Sequence, residues 1–306
     1  MTVSSPYADA LGRIPVRTSE FAVLGGVTRY WDYGDLHADT TIVVVHGFRG
    51  DHHGLEPVVA NLHGVRVISP DLPGFGASDP LGEVAHDIDG YASWLRAFVR
   101  GLGIEGRFVI LGHSFGSIVV SAALAARDAA DAPAPLEPSA VILVNPIGAP
   151  ALEGPRGVFT RLAIFYYWAA SVLPERLGYW LLRNGLIVRV MSMTMAKTKR
   201  KALRRWIHDQ HDRYFSAFSD RRVVLEAFRA SVSHNVAEYA PLIPEPTLLV
   251  AAEKDDITPV SAQRRLQTLF PDARLVVIPG VGHLIHYETP AEAARAIEEF
   301  LAVSAT

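Results

Sequence analysis

The stretch "ILGHSFGSIVV", Ile110 to Val120, decides how the rest of the chain is read. Arg107 to Leu111 forms the short apolar run of a buried strand, and the residues from Phe115 onward are small and apolar, as in a buried helix. Ser114 falls on the turn between them, flanked by Gly112 and Gly116. A turn that sharp strains its central residue and needs small neighbours, because the helix passes close to adjacent strands. It also lifts the serine oxygen clear of the backbone and points the helix N-terminus toward it. A serine held this way is a candidate nucleophile, and the rest of the chain must supply a base, an acid and an oxyanion hole.

At 306 residues the chain is long enough for one large α/β domain or for a core with an insertion. Its 49% hydrophobic and 20% charged residues suit a globular protein with a sizeable core and exclude a disordered chain. A formal net charge of -3 argues against nucleic acid as a partner, since that needs a strong positive excess. The absence of cysteine removes disulfides, thiolate metal sites and thiol nucleophiles together. "MTVSSPYADALGRIPVRTSE" has neither the basic start nor the apolar core of a secretory signal, and no run reaches about 18 uninterrupted apolar residues. The expected compartment is the cytoplasm.

Glu20 to Leu24 and Val27 to Tyr33 read as a hairpin around Gly25-Gly26. "TIVVVHG", "VRVISPD", "FVILGHS", "AVILVNP", "TLLVAAE" and "ARLVVIPG" follow as near-continuous apolar runs, which is the pattern of strands buried on both faces. Helical patterns over Val84 to Arg100, Phe115 to Arg127, Ser261 to Phe270 and Pro290 to Val303 lie among them. The fold class is therefore α/β, a mostly parallel, doubly wound sheet covered on both sides. From about Ile147 to Leu242 the rhythm breaks into long apolar and aromatic helical stretches, read as an inserted helical cap. This divides the chain into a core from 1 to 146, a cap from 147 to 242 and the rest of the core from 243 to 306. "AADAPAPLEP", 129 to 138, reads as an exposed loop.

In such sheets ligands collect at the carboxyl ends of the strands, and each polar motif here directly follows a strand. A serine hydroxyl needs a base whose pKa lies near the working pH, which histidine supplies at about 6.5. His283, in "PGVGHLIHYETP", follows the last strand in a glycine-bearing loop and is preferred over His286. That base needs a carboxylate on its other nitrogen to fix the tautomer. "LLVAAEKDDITP" offers Asp255, with Asp256 left open. "VVVHGFRG" ends another strand, and the backbone N–H groups of Phe48 and Phe115 are the candidate oxyanion donors. The order serine, acid, histidine separates this arrangement from other serine-hydrolase folds.

Taken together, H-G-F-R-G, "DLPGFGAS", G-H-S-F-G, the acid loop and G-x-G-H near the C-terminus make the chain similar to the α/β-hydrolase superfamily over nearly everything outside the cap. The resemblance implies Ser114 as nucleophile, Asp255 as acid, His283 as base and the Phe48 and Phe115 amides as oxyanion hole. It implies no cofactor. Two small residues depart from the family's habit, Ala252 before the acid loop and Ser117 after the turn, where glycine is common.

"DHHG" (Asp51 to Gly54) and "HDQH" (His208 to His211) lack the spacing and third ligand of a metal site, so no metal is expected. "DLPGFGAS" lacks the full dinucleotide fingerprint and reads as a turn shaping the pocket floor. "KTKRKALRR", Lys197 to Arg205, reads most simply as a solvated helix face; the sharper reading is a patch for anionic lipid or an acidic substrate, with the cap touching a membrane surface. "LAIFYYWAASVL" and "GYWLLRNGLIVRVMSMTMA" carry more apolar side chains than a lid needs; they either bury against each other and the sheet rim or line an apolar channel above Ser114, with Trp168 and Met193 as the expected lining.

The expected activity is acyl-enzyme hydrolysis of a hydrophobic small-molecule carboxylic ester. Two rivals are hydrolysis of a carbon–carbon bond in a vinylogous diketone and a non-catalytic ligand receptor on the same fold. Relatives of the first kind tend to carry an aromatic residue where Leu284 follows the base.

Overall fold

The computed structural model describes residues 3–125, 136–150 and 157–304. Eight strands form one sheet: β1 (Val16–Val23), β2 (Gly26–Tyr33), β3 (Thr40–Val45), β4 (Arg66–Pro70), β5 (Arg107–His113), β6 (Ala140–Val144), β7 (Thr247–Ala252) and β8 (Ala273–Ile278). Their order is β1-β2-β4-β3-β5-β6-β7-β8. β1 and β2 pair antiparallel, as do β2 and β4, while every pairing from β4 to β8 is parallel. The hairpin begins at Val16 rather than Glu20, because β1 pairs with β2 along its whole length, and Leu24 and Gly25 make the left-handed turn at φ 47° and 74°.

The helices are α1 (Ala8–Leu11), α2 (Glu56–Val59), α3 (Ile88–Gly101), α4 (Phe115–Ala125), α5 (Gly157–Val172), α6 (Glu175–Leu182), α7 (Gly185–Met195), α8 (Lys201–Tyr214), α9 (Arg221–Ser233), α10 (Val260–Gln267), α11 (Ile285–Glu288) and α12 (Pro290–Val303). The pattern predicted α3 from Val84. Its start is at Ile88 instead, because Asp87 caps it by accepting from Gly90 N–H at 2.8 Å, and His86 Nε2 accepts from Leu81 N–H at 2.9 Å to hold the preceding segment as a loop. α10 starts at Val260 and ends at Gln267, three residues before Phe270. The expected end of α4 at Arg127 and most of the 129 to 138 loop lie outside the described residues.

The period of two along each strand divides the core. Val43, Val45, Ile110, Val141 and Leu249 pack toward α3, α4 and α10, and Ile42, Val44, Val109, Ile142 and Val250 pack toward α2 and α12. Five helices, α5 to α9, lie between β6 and β7; Tyr167 of α5, Leu182 of α6 and Val223 of α9 join the first of these two clusters, while Leu203, Trp206 and Ile207 of α8 form a third with Leu284 and Tyr287. α5, α6 and α9 therefore pack on the α3–α4 side, and α8 packs beside α11. Among the described residues no helix is long and apolar enough to cross a membrane.

Candidate active site

Ser114 sits between β5 and α4 at φ 52°, the left-handed region that a serine enters only under constraint. Its flanking glycines are required by close packing: a Cβ on Gly116 would lie 2.2 Å from Val45 O, and one on Gly112 would lie 2.6 Å from Gly116 O. The turn is fastened by Ser114 N–H donating to Val144 O at 3.0 Å. Ser117 has a structural use in this turn. Its Oγ donates to Ser114 O at 2.5 Å and accepts from Ile147 N–H at 3.2 Å, tying the turn to the segment after β6.

His283 lies in the loop after β8 and is 6% exposed. Ser114 Oγ–H donates to its Nε2 at 2.9 Å, and its Nδ1–H donates to Asp255 Oδ2 at 2.7 Å. The Asp255 carboxylate also accepts from Thr258 Oγ1 at 2.6 Å and from the N–H groups of Ile257 and Thr258 at 2.7 and 3.1 Å. Burial alone would raise its pKa, but the His283 charge and these hydrogen bonds outweigh burial and hold the carboxyl below the usual range. Asp256, the adjacent candidate, turns away and pairs with Lys197 Nζ at 2.6 Å.

Phe48 follows the end of β3, and Phe115 opens α4. Among the described residues neither backbone N–H has an acceptor, so both remain free to donate. The loop carrying Phe48 is pinned by His46, whose Nδ1–H donates to Gly47 O at 2.9 Å and whose Nε2 accepts from Leu72 N–H at 2.8 Å. Burial lowers the His46 pKa, consistent with a neutral ring making both bonds. The Phe48 ring is surrounded by Phe75, Phe115, Tyr167 and Phe228, with centroids 5.8 to 6.4 Å away.

Trp168 and Met193 are placed differently from the sequence expectation. They are 56% and 57% exposed on α5 and α7, and such exposure does not fit side chains lining an enclosed channel. The face of α5 turned toward the site instead presents Tyr167, 3% exposed and stacked on Phe228 at 3.8 Å. "DLPGFGAS" reaches the insertion directly: Gly76 N–H donates to Ala217 O at 2.8 Å, and Ser219 N–H donates to Gly74 O at 2.9 Å.

Two positioning residues escaped the sequence reading. Asn145, at φ 44° just past β6, donates Nδ2–H to His283 O at 2.7 Å and accepts Ala252 N–H at 3.1 Å, linking the histidine loop to the end of β7. Arg49, at φ 60° and 1% exposed, is next to Phe48. Its guanidinium donates to Leu182 O at 2.6 Å, Phe215 O at 3.0 Å and Tyr167 Oη at 3.3 Å, and it lies 4.6 Å from the Phe215 ring centroid. This buried cation fastens the Phe48 loop to the insertion. The "HGFRG" string contained the residue, but its partners lie more than a hundred positions away in the sequence.

Two further histidines lie nearby: His113 is 5.7 Å from the His283 ring and 4.3 Å from His286. Desolvation, and then the charge on His283, push the His113 pKa down to about 3. Desolvation, with His113 next, pushes His286 well below the usual value as well. Both therefore stay neutral.

Asp51, His52 and His53 bring ligand atoms within 4.8 Å of one another. Two of the three are already engaged, Asp51 Oδ1 accepting from His53 backbone N–H at 3.0 Å and His52 Nδ1–H donating to Asp71 Oδ1 at 2.9 Å. The other discounted pair, His208 and His211, has both Nδ1 atoms on Ser192 Oγ at 2.6 and 2.7 Å.

The sequence pattern of the Alpha/beta hydrolase family matches residues 42–296, which contain every element of this site. The chain belongs to the alpha/beta hydrolase family. It is 24% identical over 285 residues to the uncharacterized hydrolase YugF of Bacillus subtilis, covering 90% of this chain and 95% of that one. It is 23% identical over 271 residues to Lipase 3 of a Moraxella species, covering 85% and 76% of the two chains. A thermophilic esterase from Thermogutta terrifontis superimposes with a TM-score of 0.72 at 23% identity, over 95% of this chain and 100% of that one. As a hydrolase of this family, the chain has esterases and lipases among its relatives.

Proposed function

We propose that the chain hydrolyses a hydrophobic carboxylic ester through an acyl-enzyme on Ser114. The observation carrying this reading is the continuous hydrogen-bonded chain from Asp255 through His283 to Ser114 Oγ, beside two N–H groups that have no other acceptor among the described residues. On this reading His283 Nε2 takes the Ser114 proton as Oγ attacks the carbonyl carbon. The oxyanion accepts from Phe48 and Phe115 N–H, where each such bond contributes about 3 kcal/mol to the transition state. His283 then protonates the leaving alkoxide. A water, deprotonated by the same nitrogen, releases the acid and restores Ser114. Asp255 stays ionised throughout and holds Nδ1–H.

The aromatic wall around Phe48 supports an apolar acyl group, since any chain entering beside that amide meets Phe75, Tyr167 and Phe228. The helical insertion acts as a cap by supplying Tyr167 and Phe228 to this wall. The test is labelling with a fluorophosphonate and mapping the modified peptide. Phosphonylation of Ser114, lost in Ser114→Ala and in heat-denatured protein, is the expected result; label elsewhere, or none, contradicts the assignment.

A further inference from the structure

The insertion differs from the rest of the molecule in both charge and surface. Residues 157–205 hold ten Lys/Arg and one acidic residue, Glu175, in a chain whose formal net charge is -3. Among the described residues, the same segment holds ten of the seventeen large hydrophobic side chains that are exposed. They fall in stripes. On α5, Leu162, Phe165, Trp168 and Val172 face outward while Tyr167 and Ala170 face in; on α7, Leu186, Val190 and Met193 face outward while Val188 and Ser192 face in. Trp180, on α6 between them, is 62% exposed. The cations follow directly. Lys199, Arg200, Lys201, Arg204 and Arg205 are all exposed on the link to α8 and its first turns.

Helices with an inward stripe already packed do not need a second apolar face for folding, and in water that face is a cost. Apolar stripes rich in Trp, Phe and Leu, bordered by Lys and Arg, are the chemistry of a helix lying in a bilayer interface: the rings enter the headgroup boundary and the cations meet lipid phosphates. We propose that the outward face of α5 to α8 docks on an anionic phospholipid bilayer. Charge complementarity favours this occupant over a second copy of the chain, because a two-fold dimer through this face would set its basic residues against one another. The docking does not depend on the proposed ester hydrolysis.

The experiment is co-flotation of the full chain carrying Ser114→Ala with vesicles of phosphatidylcholine alone and of phosphatidylcholine mixed with phosphatidylglycerol, so that binding is read without turnover. Flotation with the mixed vesicles is expected. It should weaken at least about tenfold on phosphatidylcholine alone, and again at about 1 M salt, where the screening length falls to about 3 Å. Two sets of changes, Phe165→Ser with Trp180→Ser and Leu186→Ser, and Lys199→Glu with Lys201→Glu and Arg205→Glu, should each lower vesicle binding at least about tenfold. In the Ser114 background both sets should keep the melting temperature and the rate on a soluble acetate ester. Failure to float with the mixed vesicles overturns the proposal, as does equal flotation of the two altered proteins and the parent. So does light scattering that shows a dimer abolished by the apolar set.

Discussion

Two buried imidazole–carboxylate pairs stand at the carboxyl edge of this sheet, and they serve different ends. His283 Nδ1 and Asp255 are 2.7 Å apart beyond β7, and His52 Nδ1 and Asp71 are 2.9 Å apart just beyond β4. Both carboxylates are almost inaccessible, and in both burial is outweighed by the histidine partner, so that the pKa is lowered. The difference lies on the far side of the ring. His283 presents Nε2 to a serine held at a strained turn, whereas the His52 ring is sandwiched between Trp31 and His53, with centroids 3.2 and 3.9 Å away. Asp71 also accepts from His52 N–H and Ala77 N–H, which shapes the loop that meets the insertion. An aspartate–histidine pair is therefore a means of holding a ring, and what the other nitrogen meets decides whether chemistry can follow.

The comparison breaks most visibly at the serine. Ser114→Ala should lower kcat on an activated ester by about a million-fold while leaving the melting temperature near that of the parent, measured by steady-state kinetics and thermal unfolding. Next, Asp255→Asn should cost about ten thousand-fold in kcat through the wrong tautomer. Asp71→Asn should instead act on stability. Breaking a buried pair costs about 3–5 kcal/mol, and kcat of the folded protein should stay within about tenfold of the parent. If the two substitutions gave the same kinetic loss, the division between the pairs would fail.

Reading these two pairs from the sequence alone shows where pattern stops being informative. Ser114 stood out because its glycines and the change from strand to helix are local signals, and His283 because it follows the final strand. Choosing between Asp255 and Asp256 depended on the path of the backbone after β7, which sends one carboxylate to His283 and the other to Lys197. Asn145 and Arg49 carry no local signal, since their meaning lies in partners far along the chain. Composition marked Trp168 and Met193 as apolar but could not say which side of their helices faced the core.

Arg49→Met should lower kcat about a hundredfold by loosening the Phe48 loop from α6 and from the segment after α8, with Arg49→Lys recovering part of the loss. Stability against pH probes the buried neutral histidines. His113 and His211 have folded pKa values of about 3, below the unfolded 6.5, so below pH 6.5 the unfolded chain binds more protons. Stability is then complete above that pH and is lost as pH falls toward 3, with each such histidine adding about 1.4 kcal/mol per pH unit to the slope. His113→Gln should flatten the decline in unfolding free energy, measured by denaturant titration between pH 6 and pH 4, by up to about that amount per unit. The smallest effect belongs to Asp256→Asn. It removes a partly buried ion pair with Lys197 and should change kcat by less than about threefold.

The central claim, that Ser114 becomes acylated because His283 and Asp255 stand behind it, is met most directly by rapid acid quench during turnover of a p-nitrophenyl ester, followed by mass spectrometry of the peptide containing residue 114. The account predicts that this peptide gains the mass of the acyl group, and that Asp255→Asn slows its appearance while Asp71→Asn does not. Full turnover with an unmodified Ser114 peptide, or an acyl group trapped on any other residue, would contradict it.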